Sequence, residues 1–180
     1  KLLFTRFLKI DPKKFDDFKE VKGKIIAYDK LMNFMQATKK NAQIANSIMQ
    51  ISSEPQTISI SLHKENLTQD LVLAEKKFSV SILSKKTSLE FIGKLGFKSG
   101  HTEEKLTDIN FEIVDDVPVV IENSIGWLIC KVIESIDVGT HTVFIAKVIN
   151  GQLLNSDETM TYDFYKNVKY GGVPKNAPTY

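Results

Sequence analysis

A mainly β fold with a few short helices, arranged as a barrel, is what the chain predicts, and three observations lead there. Thr57-Ile-Ser-Ile-Ser-Leu62 and Phe78-Ser-Val-Ser-Ile-Leu83 alternate apolar and hydroxyl side chains, the period of a strand with one face in a core. The second half is dense in strand signals, at Phe111 to Val114, Val117 to Ile121, Trp127 to Ile136, Val143 to Ile149 and Gln152 to Leu154. Turn residues punctuate these runs, with Asn150-Gly151 and Asp137-Val-Gly139 each reading as a hairpin turn. Short strands joined by turns, with only short helices between them, favour a barrel over a parallel sheet with crossover helices.

From the N-terminus, Lys1 to Leu8 alternates basic and apolar residues, as a short edge strand, an arm or simply an ordered terminus would. Asp11-Pro12 starts a helix, since Asp accepts from orphan amides and Pro at the first position loses no hydrogen bond; Gly23 ends it. Lys24 to Tyr28 reads as a strand. Leu31, Phe34 and Met35 have helical spacing over too short a segment to define a helix, so residues 29–40 read as turn or loop. Ile48, Met49 and Ile51 lead a strand towards Pro55. Leu67 to Lys76 forms a helix capped by Asn66 or Thr68. Thr87-Ser-Leu-Glu90 matches a capping box and opens a helix that Gly93 and Gly96 terminate.

The 180 residues suit a single domain spanning 1–180. A net charge of +2 argues against nucleic acid or an anionic membrane as partner, so any phosphate site is local. Cys130 is the only cysteine, which excludes an internal disulfide and a cysteine-based metal centre; it reads as a small core residue. Three histidines without a carboxylate at ligand spacing leave no metal site. No apolar stretch is long enough to cross a bilayer and the start lacks a small-residue cleavage site, so a cytoplasmic protein is expected.

Two polar stretches interrupt the strands: Asn41-Ala-Gln-Ile-Ala-Asn-Ser47 and Ser61-Leu-His-Lys-Glu-Asn-Leu-Thr68. Short polar side chains and backbone amides on the loops of a rigid scaffold satisfy the acceptors of a phosphate and a heteroaromatic ring, and point to a bound flavin nucleotide. Asn and Ser also suit ordinary turns, and a helix start at Asn66 or Thr68 with Lys64 beside it is equally a simple N-cap with a solvated lysine. There is no Gly-rich dinucleotide fingerprint, so any nicotinamide docks over the flavin face and not in a Rossmann site.

With these motifs, and with Leu89-Glu-Phe-Ile-Gly93, Phe97-Lys-Ser-Gly100, Gly139-Thr-His-Thr-Val-Phe144 and Pro174-Lys-Asn-Ala-Pro-Thr-Tyr180, the chain resembles the flavin reductase-like FMN-binding family, of the flavoredoxin type and the flavin domain of high-molecular-weight rubredoxins. The resemblance covers roughly residues 41–180; the first forty match poorly and form a diverged N-terminal segment. It implies a Greek-key split barrel, a homodimer, and FMN held near the subunit interface. It further implies electron transfer from NAD(P)H to free flavin, a rubredoxin-like protein, ferric iron or oxygen, with a carrier that exchanges electrons only with a protein partner as the alternative.

Carried over by position, the resemblance places Asn41, Ala42, Asn46 and Ser47 along the isoalloxazine or the ribityl chain. Lys64, Asn66 and Thr68 would hold the phosphate, where a helix start favours an anion. Lys105 falls near a family lysine that approaches the cofactor, and the ammonium would neutralise phosphate or a reduced flavin. His141 takes a recurring histidine position beside the flavin and nicotinamide pocket, although a lone histidine is more often structural. Tyr165 and Tyr170 would cover the flavin from the partner subunit, His63 and His101 have weaker claims, and Trp127 reads as core or dimer interface.

Overall fold

The computed structural model describes residues 24–29 and 40–173, the first segment by its backbone alone. The helix read from Asp11, the opening arm or strand, the loop over 30–39 and the segment from Pro174 lie outside the described residues. Nine strands and three helices are described: β1 (Lys24–Asp29), β2 (Lys40–Ala45), β3 (Ile48–Ser53), β4 (Gln56–His63), α1 (Leu67–Glu75), β5 (Lys77–Leu83), α2 (Leu89–Gly96), β6 (Phe111–Val114), β7 (Val117–Val120), β8 (Ser124–Asp137), β9 (His141–Leu153) and α3 (Tyr162–Asn167). Asp29 and Lys40, read as loop ends, are therefore strand residues.

Seven strands form one antiparallel sheet in the order β2-β1-β5-β8-β9-β4-β3, and β6 pairs with β7 in a separate ribbon. The two edge strands, β2 and β3, are consecutive in the chain and separated only by Asn46-Ser47. Three virtual bonds span at most about 11 Å, so opposite edges of the sheet must meet at that corner. The sheet therefore curls on itself, while β2 and β3 share no ladder, which leaves the barrel split along this seam. The chain crosses from β4, beside β9, to β5, beside β1, through α1, and the path is a Greek key.

The curled sheet encloses Ile58, Ile60, Phe78, Leu128 and Phe144, with Leu71 and Val72 of α1 packed against them. A second cluster joins Phe91, Ile92 and Leu95 of α2 to Ala42, Leu106 and Met160, which fixes α2 and its following loop against β2. Trp127 belongs to the first of these cores.

Four local readings are corrected by the structure. Ser79 and Ser81 of β5 are fully buried, because the outer face that alternation assigned to solvent is covered by β7; Ser79 Oγ donates to the Pro118 carbonyl at 2.6 Å. Asn150-Gly151 makes no hairpin. Neither residue has positive φ, both pair with β8, and β9 runs through them to Leu153 with a register shift at Ile129/Cys130. The cap of α2 is Ser88, whose hydroxyl accepts from the Phe91 amide at 3.1 Å, while Thr87 is buried and donates to the Ser84 carbonyl at 2.7 Å. The helix also passes through Gly93 and ends at Gly96, where a Cβ would come within 3.2 Å of Ile44. Helix α3 had no expectation; Thr161 caps it by accepting from the Phe164 amide at 2.9 Å. The Asp137-Val-Gly139 turn does join β8 to β9, with Gly139 at φ 86° and its amide donating to Asp137 Oδ1 at 2.9 Å.

Phe144 is completely enclosed at the centre of the barrel. Phe144→Ala is expected to destabilise the fold by about 3–5 kcal/mol, read as a lower urea midpoint with unchanged slope.

Candidate functional site

The corner that closes the barrel also opens a cleft with a volume of about 450 Å³, inside the range usual for cofactor sites. The corner is tied to β4: the Ser61 amide donates to the Ser47 carbonyl at 3.3 Å, and Ser47 Oγ donates to the Ser61 carbonyl at 3.2 Å. Around it the cleft is lined by Asn41 of β2, Ser61 and His63 of β4, and the start of α1 at Asn66 and Thr68. Phe97 to Gly100, Lys105, Tyr162, Tyr165 and Gly172 add to the lining, as does the acidic Glu65.

Asn41 is only 2% exposed, and its Nδ2 donates to Thr68 Oγ1 at 2.8 Å, which fastens β2 to α1. Its Oδ1 is buried and has no hydrogen-bond partner among the described residues. A buried acceptor left unsatisfied costs about 1–3 kcal/mol, so this atom suits an N–H or O–H brought by a ligand. Gly100 faces it so closely that a Cβ there would lie 2.5 Å from Oδ1.

At the start of α1, Asn66 is the N-cap residue but its side chain caps no amide. Of the first-turn amides of this nine-residue helix, that of Gln69 donates to the Asn66 carbonyl at 2.8 Å, so the partial positive charge of the helix start rests on those of Leu67 and Thr68, two residues that line the cleft. Lys105 adds a full charge: its Nζ donates to the Leu95 carbonyl at 2.9 Å, and burial pushes its pKa down to about 8, against an upward pull from Glu103. Lys98, the other lysine of the lining, is paired with Glu103 at 3.1 Å.

Of the residues read from sequence as cofactor-binding, Asn41, Asn46, Ser47, Asn66, Thr68 and Lys105 share this lining. Ala42, Lys64, His141 and Tyr170 lie outside it. Ala42 alternates away from Asn41 along β2 and lies in the α2 core with 0% exposure. Lys64 reaches instead across to the β8–β9 turn, where Nζ lies 2.6 Å from Asp137 Oδ2, and that bond holds the Asp137 carboxyl below the usual carboxylate range. His141 stands behind His63, with ring centroids 4.8 Å apart. Tyr170 is 84% exposed in a left-handed conformation.

His63, Ser61 and Ser99, all three inside motifs that the sequence singles out, also line the cleft, as do Tyr162 and Gly172, to which sequence reasoning assigns no role. Tyr165, expected to act on a partner's flavin, lines the cleft of its own chain. Its hydroxyl donates to the Gly172 carbonyl at 2.6 Å, the Gly171 amide donates to the Tyr165 carbonyl at 2.9 Å, and Lys166 Nζ donates to the Gly171 carbonyl at 3.0 Å. Burial raises the Tyr165 pKa, with the neighbouring Tyr162 adding to it. Among the described residues no group of three or more His, Cys, Asp and Glu is arranged to hold a metal ion.

The sequence profile of the Flavin reductase like domain matches residues 34–171. The chain is 38% identical over 141 residues to the high molecular weight rubredoxin of Moorella thermoacetica, covering 78% of this chain and 62% of that protein, so it spans less than two thirds of that relative. It is 35% identical over 143 residues to the ferric-chelate reductase (NAD(P)H) of Archaeoglobus fulgidus, covering 79% of this chain and 85% of the relative. Among solved structures it is similar in fold to flavoredoxin from Methanosarcina acetivorans, with TM-score 0.64 and 16% identity over 84% of this chain and 76% of that one. The FMN-binding protein of Thermus thermophilus gives TM-score 0.62 and 17% identity over 74% and 71%.

Two expectations follow from the geometry. A Cβ at Gly171 would fall 2.0 Å from the Tyr165 ring, so Gly171→Ala is expected to push that ring out of the cleft wall and release the 170–173 segment, seen as faster amide exchange at Gly172 and Val173. For Lys105 the folded pKa of about 8 lies below the unfolded value near 10.5, so the unfolded chain binds more protons between them and this group adds stability as pH rises through that window. Lys105→Met is therefore expected to flatten the gain in urea midpoint between pH 8 and pH 10 relative to wild type.

Proposed function

Because the chain belongs to the flavin reductase-like family, whose members are oxidoreductases, we propose that the seam cleft binds FMN and that the protein moves electrons from NAD(P)H to free flavin, a rubredoxin-like protein, ferric iron or oxygen. The observation that carries this is the buried Asn41 Oδ1, without a partner among the described residues, in a cleft that also gathers hydroxyls, helix-start amides and a buried cation. That donor set fits the group: a ring with an N–H edge, a polyhydroxyl chain and a phosphate.

Asn41, Asn46, Ser47 and Ser61 would hold the ring edge and the ribityl chain, and the α1 amides with Asn66 and Thr68 would hold the phosphate. When bound, FMN supplies two-electron chemistry between nicotinamide and acceptor. The chain orients it, excludes water with Phe97 and Tyr165, and sets the charged Lys105 where negative charge accumulates. The carrier reading, with exchange only between proteins, draws on the 38% identity to high molecular weight rubredoxin.

A homodimer and a cytoplasmic location are part of the same proposal. Among the described residues no helix is long and apolar enough to cross a membrane. The outer face of β3, β4, β9 and β8 supports the dimer: the register lines up Met49, Ser59 and Ile145, while Met49 and Ile133 are 58% and 62% exposed.

Titration with FMN followed by visible absorbance is expected to show saturable uptake, and anaerobic NADH or NADPH is expected to bleach the bound flavin within seconds. Bleaching by neither, with reduction by a protein donor, would favour the carrier; no uptake would remove both readings. Asn41→Leu is expected to weaken FMN binding by about tenfold or more, since it deletes the buried acceptor.

A further inference from the structure

We infer that His63, set in a single tautomer by the backbone and braced by His141, is the imidazole that meets a ligand in this cleft, and that it donates from Nε2 to a phosphate oxygen. The inference rests on the flavin nucleotide reading and extends it to a residue and a contact. His63 closes β4 and lines the cleft, with its side chain 16% exposed. The Glu65 amide donates to its Nδ1 at 3.2 Å, so in the neutral ring Nδ1 carries no proton and the N–H is at Nε2. The Asn66 amide donates to the His63 carbonyl at 3.0 Å, which makes the histidine and the helix start one continuous turn. An N–H donor beside the Leu67 and Thr68 amides at the start of α1 has the chemistry of a phosphate cradle, and the buried Oδ1 of Asn41, without a partner among the described residues, independently marks the cleft as a place where a ligand completes the hydrogen bonding.

His141 is a positioning residue here. It pairs with His63 in the β4–β9 register, and the two rings meet edge to face at 83°. Its Nδ1 lies 2.9 Å from Thr140 Oγ1, and the Thr140 carbonyl accepts from the Lys64 amide at 3.0 Å, so the brace is fastened to the same turn. This gives His141 a function at one remove from the cleft, through the ring it packs on.

The phosphate oxygen has two sources, FMN and the nicotinamide nucleotide, and binding constants separate them. Dissociation constants for FMN and for riboflavin, with KM and kcat for NADH, are measured on wild type, His63→Leu, His63→Gln, His141→Phe and His141→Ala. If the FMN phosphate is the ligand, His63→Leu weakens FMN about tenfold and leaves riboflavin unchanged, while His63→Gln, which keeps an N–H near the Nε2 position, retains most of the FMN affinity. If the nicotinamide nucleotide supplies the oxygen, FMN affinity holds and KM for NADH rises about tenfold at constant kcat; either pattern supports the assignment. His141→Phe is expected to keep wild-type values and His141→Ala to shift them in the direction of His63→Leu. Wild-type FMN affinity and KM in His63→Leu, or equal losses for FMN and riboflavin in both His63 variants, would overturn the inference while the flavin reading stands. Wild-type protein that binds neither flavin would overturn both.

Discussion

The two-residue connection Asn46-Ser47 is the constraint on which the rest of the structure depends. It joins the outermost strands of a seven-stranded sheet, and so short a link forces the sheet to curl until its edges face one another. A longer loop would leave the sheet open, and a hydrogen-bonded β2–β3 pair would close it. The result lies between the two: a barrel whose seam holds backbone and small polar side chains that the ladder does not use. The cleft is that seam, widened by α1 on one side and by α2 with its loop on the other.

Rigidity at the seam comes from packing behind it. Asn41 and Ala42 are neighbours on β2 with opposite tasks, one presenting an amide to the cleft and the other seated among Phe91, Ile92 and Leu95. The core cluster under α2 thereby fixes where the Asn41 side chain lies, and Gly100 can come up against it only because it lacks a Cβ. Burial also gives Lys105 its lowered pKa, and Asn41 Oδ1 is buried without a partner among the described residues, so the cleft carries groups that a purely structural interior would have neutralised or paired. Those unsatisfied terms favour a ligand that brings both hydrogen-bond donors and negative charge.

Much of the architecture was legible in the sequence because it is written in short-range pattern. The period of two in Gln56–His63 needs only its own residues to be read, whereas Asn41–Ser47, read as a polar interruption of the strands, belongs to β2 as far as Ala45. What failed needed long-range information. Asn150-Gly151 has the composition of a turn but is held extended by pairing with β8, and the serines of β5 look solvent-facing until β7 is laid over them. Within the site, too, placement depends on long-range contacts. Lys64 sits next to the helix start in sequence, yet a carboxylate at Asp137 draws it away; His141 is paired with His63 across β4 and β9, and of the two only His63 is in the cleft lining.

The most direct measurement is a crystal structure of the protein with FMN bound. The expected result is density for the phosphate at the first turn of α1 and for the ring edge against Asn41 Oδ1, with the Asn46-Ser47 corner unmoved. Flavin seated elsewhere on the barrel, or a seam closed by Asn41 and the Phe97 to Gly100 loop with FMN excluded, would contradict it.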